Sequence, residues 1–321
     1  MPTSPSRRFP RLLITMGDPA GIGPEVLLKS LPRIPARFPV TVIGDIGWLR
    51  KTAGRLRFSV PWSRFEWLDL QNVPGRFSPG RVQPAAGRAA VGYLRMAIDL
   101  LKRGRAAGIV TGPVSKEAIV MAGIPWIGHT EFLARSFRRK TVMMFVTGRF
   151  RVSLATTHVS MRRLPGRLNR DLLRATVRLT LQALRRDFGI RRPTVGLAAL
   201  NPHAGEGGLF GREESRLLKP VVRSFRTAVG GPTPADSLMR QAADGRYDAV
   251  VALYHDQALI PVKLLGWEQA VNVTLGLPFV RTSPVHGTGF EIAGRGKADP
   301  SSMIAAIRLA QHLIRQRSRL H

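Results

Sequence analysis

Short apolar runs alternate along the whole chain with longer stretches in which apolar positions recur every three or four residues. RLLITM, PVTVIGD, AAGIVTGP, KTVMMFVTG, FRVSLATTHV, PTVGLAALNPH and YDAVVALYHD read as strands buried on both faces. Between them, PEVLLKSL, GWLRKTAG, AAVGYLRMAIDLLKRG and LNRDLLRATVRLTLQALRRDFG carry the i, i+3, i+4 repeat of amphipathic helices. The last is the clearest: from Leu168 to Phe188 arginines occupy the face opposite the apolar positions, and Gly189 ends it. A further helix is predicted from Pro300 to Arg317. Strand–helix alternation of this kind predicts a doubly wound α/β architecture. The Pro- and Gly-rich stretches VPGRFSPGRVQPAAG and AVGGPTPADS read as loops, and the opening MPTSPSRRFPRLL as a short disordered lead. No internal repeat is evident.

A length of 321 residues suffices for two α/β domains or one large one, and 44% hydrophobic content can fill a sizeable core. No run approaches the roughly 20 apolar residues that a membrane span needs. The absence of cysteine excludes disulfides, thiolate ligands and thiol nucleophiles, and a cytoplasmic location is expected. The charge changes the picture more: 50 Lys+Arg against 20 Asp+Glu gives a formal +30, which raises a nucleic-acid partner. The basic residues are mostly Arg and spread over the full length. Their densest pieces (MRRLPGRLNR, LRRDFGIRRP, LIRQRSRLH) have the character of solvated helix faces and turns, without interleaved aromatic residues. Attraction of phosphorylated or carboxylated small substrates is the expected consequence, rather than dedicated nucleic-acid binding.

Only 7 histidines occur, and three of them, His158, His203 and His255, each follow an apolar run where a strand should end. Ligands of open α/β sheets bind outside the carboxyl ends of strands. Each His alone reads first as a lone polar residue satisfied at a strand end. Together, flanked by Asn201, Glu206, Asp256 and Gln257, they read as a divalent-metal site with room for substrate. Near the start, Gly17, Gly21 and Gly23 sit between a strand and a helix opened by Pro24 and Glu25, a turn that suits either an anion or tight packing. TGPVSK opens one helix; GHTEFLA opens another with His129 and Thr130, a cradle for carboxylate or phosphate or a simple cap. Lys263, Asn272 and Arg281 stand at turn-bounded positions in an apolar stretch, where an unpaired charge is costly and a phosphate would be a natural partner.

ITMGDPAGIGPEV, TGPVSK, GHTEFLA, ATTHV, LNPHAGEGG, YHDQ, VNVTLGLPFVRTS and HGTGFEIAGRGKADP, in this order from about Ile14 to Pro300, resemble the 4-hydroxythreonine-4-phosphate dehydrogenase family of pyridoxal phosphate biosynthesis. GIGPE and the HGT element also resemble the isocitrate and isopropylmalate dehydrogenases. The resemblance implies that fold: two α/β/α subdomains with an active-site cleft between them. We place the first at 1–130 plus 286–321 and the second, with the metal ligands, at 131–285. It further implies His158, His203 and His255 as ligands of one divalent metal (Zn, Mg or Co). His129, Thr130, Lys263, Asn272 and Arg281 become substrate contacts, and His286, Gly287 and Thr288 the start of the loop that holds NAD or NADP. Members are homodimers with the active site at the interface, so ligands come from both chains. Where members often carry an acidic residue before the HGT element, this chain has Val285, and Gly289 and Phe290 replace the commoner pair after it.

The implied reaction is oxidation of 4-(phosphooxy)-L-threonine by NAD to the 3-oxo acid, which decarboxylates to 3-amino-2-oxopropyl phosphate. Asp256, beside a metal ligand, and Lys263 are the candidate acid–base groups. Relatives acting on 4-phospho-threonate or erythronate, or on a cyclic dihydroxy-diene dicarboxylate, share the same motifs. A nucleic-acid-binding protein on an inactive enzyme scaffold is the reading from a different class.

Overall fold

The computed structural model describes residues 11–319 except 76 and 127. Residues 1–10 of the expected lead lie outside the described residues, and its last two leucines already belong to the first strand. In chain order the elements begin with β1 (Leu12–Thr15), α1 (Gly23–Ser30), β2 (Val40–Gly44), α2 (Ile46–Leu56), β3 (Glu66–Asp69), α3 (Pro84–Lys102), β4 (Gly108–Thr111), α4 (Lys116–Met121) and α5 (His129–Phe137). They continue with β5 (Val142–Thr147), β6 (Phe150–Leu154), α6 (Leu164–Arg167), α7 (Arg170–Arg186), β7 (Val195–Ala198), α8 (Lys219–Arg223), β8 (Val229–Thr233) and α9 (Ala235–Ala243). Last come β9 (Ala249–Ala252), α10 (His255–Gly266), β10 (Val271–Leu275), β11 (Val280–Pro284) and α11 (Ser301–Arg319). No helix among the described residues is long and apolar enough to cross a membrane.

Two compact units divide the chain: Met1–Ser136 with Phe279–Ile314, and Phe137–Pro278 with Arg315–His321. The breaks therefore fall after Ser136, before Phe279 and after Ile314, whereas the sequence reading set them at 130/131 and 285/286 and kept 286–321 in the first subdomain. In the first unit the strands run in the order β3-β2-β1-β4-β11, all parallel. β1, β2 and β4 are buried along their whole length, as their continuous apolar runs require. Ser115 caps α4 by accepting the Ala118 amide at 3.1 Å.

In the second unit the order is β10-β5-β6-β9-β7-β8. The β10–β5 and β5–β6 pairs are antiparallel, and β6, β9, β7 and β8 run parallel. Its long helix α7 starts at Asn169, whose side chain accepts the Leu172 amide at 2.9 Å, and lays Leu173, Val177, Leu181 and Leu184 against the sheet. AVGGPTPADS is a correction: Val229–Thr233 form β8 rather than a loop. The strand sits at the sheet edge, where the missing N–H of Pro232 and the bare glycines cost no ladder partner on the outer side.

Candidate active site

At the carboxyl end of β4 in the first unit, Thr111 accepts a hydrogen bond of 2.8 Å from the guanidinium of Arg281, a residue of β11 that is 2% exposed. Arg281 therefore holds a buried cation beside a strand end. Burial lowers its pKa to about 10, with the charge of Glu131 on α5 opposing the shift. His129, the first residue of α5, is pushed down to about 3, chiefly by burial and then by the neighbouring Arg281 charge. Its ring meets Trp126 edge-on at 5.5 Å, and the buried Trp126 Nε1 has no hydrogen-bond partner among the described residues. A neutral imidazole, an indole N–H and a buried guanidinium thus share one corner of this unit, a donor-rich environment for an oxyanion. Thr130 follows His129 in the first turn of the same helix.

The 286–298 segment has no regular secondary structure beyond turns. His286 Nδ1 lies 3.0 Å from the Gly287 carbonyl, its buried Nε2 has no partner among the described residues, and a side chain at Gly287 would meet open space. An unpaired ring nitrogen next to a bare glycine fits a ligand seated on this loop. The earlier glycine turn serves a different purpose from anion binding. A Cβ on Gly21 would lie 2.7 Å from the Thr288 carbonyl, and the Ile22 amide donates to that same oxygen at 2.8 Å. The GDPAGIGPE turn is packed against backbone, and its space is filled.

In the second unit, His158, His203 and His255 follow β6, β7 and β9, three parallel strands that are neighbours in the order β6-β9-β7. Pairing of β6 with β9 continues past the strands: the Ala155 amide donates to Ala252 at 2.8 Å, and the Thr156 hydroxyl to the Leu253 carbonyl at 2.7 Å. That extension brings the His158 and His255 rings to 6.0 Å between centroids. His255 opens α10, and its Nδ1 lies 2.7 Å from Asp256 Oδ1. The carboxylate accepts, so the neutral ring carries its proton on Nδ1 and offers the Nε2 lone pair.

His203 does not join this pair: its ring neighbour is Phe210 at 6.3 Å, and no three His, Asp or Glu side chains among the described residues gather as a metal-binding group. The cause is local. His203, Ala204, Gly205, Glu206 and Gly207 all have positive φ, a left-handed run that carries the imidazole away from its strand end and leaves it exposed. The sequence reading of Lys263 and Asn272 as turn-bounded also needs correction. Lys263 lies inside α10 with its ammonium 4.8 Å above the Trp267 ring. Asn272 lies in β10, its buried Oδ1 without a partner among the described residues.

A family model described as "Pyridoxal phosphate biosynthetic protein PdxA" matches residues 37–310. The chain belongs to the PdxA family. A 4-hydroxythreonine-4-phosphate dehydrogenase of Desulfosudis oleivorans is 40% identical, over 94% of this chain and 95% of its own. The crystal structure of a 4-hydroxythreonine-4-phosphate dehydrogenase from Klebsiella pneumoniae superposes with a TM-score of 0.84 at 40% identity, covering 95% of this chain and 99% of the other. An isocitrate dehydrogenase from Methylococcus capsulatus shares the fold alone: 13% identity and a TM-score of 0.50 over 96% and 86% of the two chains. The expected α/β fold, shared with isocitrate dehydrogenase, is therefore the fold of this PdxA-family enzyme.

Two residues of this PdxA-family chain that the motif reading passed over or left unplaced hold its strand ends in register. The side chain of Gln257 accepts the Leu253 amide at 2.7 Å and donates to the Ala199 carbonyl at 2.9 Å, tying the end of β9 to the end of β7. Glu214 accepts the Leu200 amide at 2.9 Å, the Asn201 amide at 2.8 Å and the Asn201 side chain at 3.0 Å. Burial opposes its ionisation, but the hydrogen bonds from Asn201 and Leu200 prevail and hold its carboxyl below the usual range. The signal for Glu214 was indirect: a run as glycine-rich as GEGG needs an outside anchor.

Proposed function

We propose that this enzyme oxidises 4-(phosphooxy)-L-threonine with NAD or NADP, and that the resulting 3-oxo acid loses CO2 to give 3-amino-2-oxopropyl phosphate, in the cytoplasm where the nicotinamide pool resides. The buried Arg281 carries the reading. A guanidinium fixed by Thr111 and flanked by a neutral imidazole matches a phosphate. His129, Thr130, Lys263 and Asn272 are the accompanying substrate contacts. His286, Gly287 and Thr288 open the loop for the dinucleotide.

His158 and His255 fit as ligands of one divalent cation, since rings at 6.0 Å bring two imidazole nitrogens within reach of a single ion. We assign the third ligand to His203 of a second copy of this chain, which makes the working enzyme a homodimer. When bound, the cation supplies polarisation of the substrate oxygens and the nicotinamide the two-electron oxidant. The chain's own residues do the rest. Arg281 and its companions position the phosphate, so the reacting carbon is held without loss of orientation on each turnover. Asp256 fixes the His255 tautomer, and Lys263, as the uncharged amine, is the proposed acceptor of the hydroxyl proton, becoming an ammonium as the hydride leaves.

The test is NADH formation with three substrates: 4-(phosphooxy)-L-threonine, 4-phospho-threonate and a cyclic dihydroxy-diene dicarboxylate. Turnover of the first, abolished by a chelator and restored by divalent metal, is expected. Arg281→Gln should raise KM for it about 100-fold, the loss of a paired charge–phosphate contact. Comparable turnover of the unphosphorylated diol, or an unchanged KM in Arg281→Gln, overturns the reading.

A further inference from the structure

The 286–298 loop makes few bonds of its own. Its internal backbone hydrogen bonds are turn closures at 3.1 to 3.3 Å: Ile292 to Gly289, Ala293 to Phe290 and Arg295 to Ile292. What fixes its course is α1, more than 260 residues away in sequence. Glu25, in the first turn of α1 and 1% exposed, accepts the Gly294 amide. Lys29, one helical turn further on the same face, donates to the Gly296 and Ala298 carbonyls, each at 2.7 Å. Together with the Ile22 amide on the Thr288 carbonyl, the N-cap of α1 and two residues of the helix hold the loop at 288, 294 and 296–298. Gly294 and Gly296 both have positive φ (79° and 72°), which turns the backbone so that its amide and carbonyls face the two side chains.

A carboxylate and an ammonium on one helix face, each spent on loop backbone and neither on the other, form a clasp. Charged groups make the stronger hydrogen bonds, and a buried carboxylate left without its amide is costly, so the clasp favours one loop conformation over many. We propose that Glu25 and Lys29 are positioning residues for the dinucleotide: they touch no reacting atom but set the conformation in which His286, Gly287 and Thr288 present themselves to it. This rests on the reading above that NAD occupies the loop. It assigns to the GIGPEVLLK segment the work of shaping the cofactor site from behind.

The experiment uses the full chain with Glu25→Leu, Glu25→Gln, Lys29→Met and Lys29→Arg. NAD affinity is measured by calorimetry without substrate, amide exchange is followed across 288–298, and kcat and KM are determined for both substrates. Glu25→Leu and Lys29→Met are expected to weaken NAD binding and speed exchange about 10- to 100-fold, the equivalent of one charged hydrogen bond lost. In both variants kcat at saturating NAD and KM for the phosphorylated substrate stay near native, a split that general destabilisation does not produce. Glu25→Gln, which keeps an acceptor oxygen, and Lys29→Arg, which keeps donors, should recover most of the loss. Lys29 is only partly buried, so Lys29→Met provides the answer even where Glu25→Leu fails to fold. Native exchange rates in Lys29→Met and Glu25→Leu overturn the clasp while leaving the NAD assignment intact. Faster exchange with unchanged NAD affinity overturns the positioning role together with the placement of NAD on this loop.

Discussion

Asp18 is a carboxyl with no exposed surface, one oxygen taking the Ala20 amide at 2.8 Å and the other without a hydrogen-bond partner among the described residues. Burial raises it to about 6, against the opposing amides of Ala20, Ser115 and Gly21. An acid whose folded-state pKa lies above its unfolded value of 3.8 holds its proton more tightly in the folded chain. Its contribution to stability is therefore complete below about pH 4 and lost as pH rises through about 6, amounting to about 3 kcal/mol at most. Asp18→Asn keeps the acceptor oxygen and removes the titration. Measured by urea denaturation, the difference between variant and native protein should shift toward the variant by about 2 kcal/mol between pH 4 and 7.5. A constant difference across that range shows that Asp18 does not titrate there. His129 has the opposite sense: its neutral form is favoured from acid pH upward, so it enters the proposed chemistry as a hydrogen-bonding imidazole and not as a charge.

At the level of elements, the loop after β7 is held by an anchor outside itself. Three of its left-handed residues are not glycine (His203, Ala204 and Glu206), and each costs about 1 kcal/mol relative to ordinary backbone. Glu214 offsets this by gathering the Leu200 and Asn201 amides. Glu214→Gln should lower stability by about 1 to 3 kcal/mol and open Gly205–Gly211 to protease, with metal retention falling in parallel. Native resistance to cleavage in that segment rules out the anchoring role. Strands such as Leu12–Thr15 and Ala249–Ala252 were legible because full burial demands unbroken apolar runs, and the same runs showed that His158, His203 and His255 follow strands, though not which of them meet. β8 was not, because an edge strand tolerates the Gly and Pro that mark a loop. Neither the clasp of α1 on 286–298 nor the left-handed course of His203 leaves a local trace. The first joins residues distant in sequence, and the second depends on backbone angles that HAGEGG permits without specifying.

For the whole molecule, the separation of His203 from the His158–His255 pair gives the proposed second copy a chemical task beyond stability. Helix α10, which His255 opens, leaves Ile260, Leu264 and Leu265 more than half exposed, an apolar face that a monomer would gain by covering. If each site takes His158 and His255 from one chain and His203 from its mate, the two defects belong to opposite halves of a site. His203→Ala and His255→Ala proteins should each be inactive alone. Co-expressed, half of the dimers are mixed, and each mixed dimer holds one intact site and one doubly damaged site. Recovery of about a quarter of native activity follows from random pairing of the two chains. The measurement is NADH formation by the co-expressed pair, with dimer formation checked by light scattering. Dimers that form but recover no activity place all three imidazoles within one chain, and a monomer with full native activity removes the second copy from the mechanism altogether.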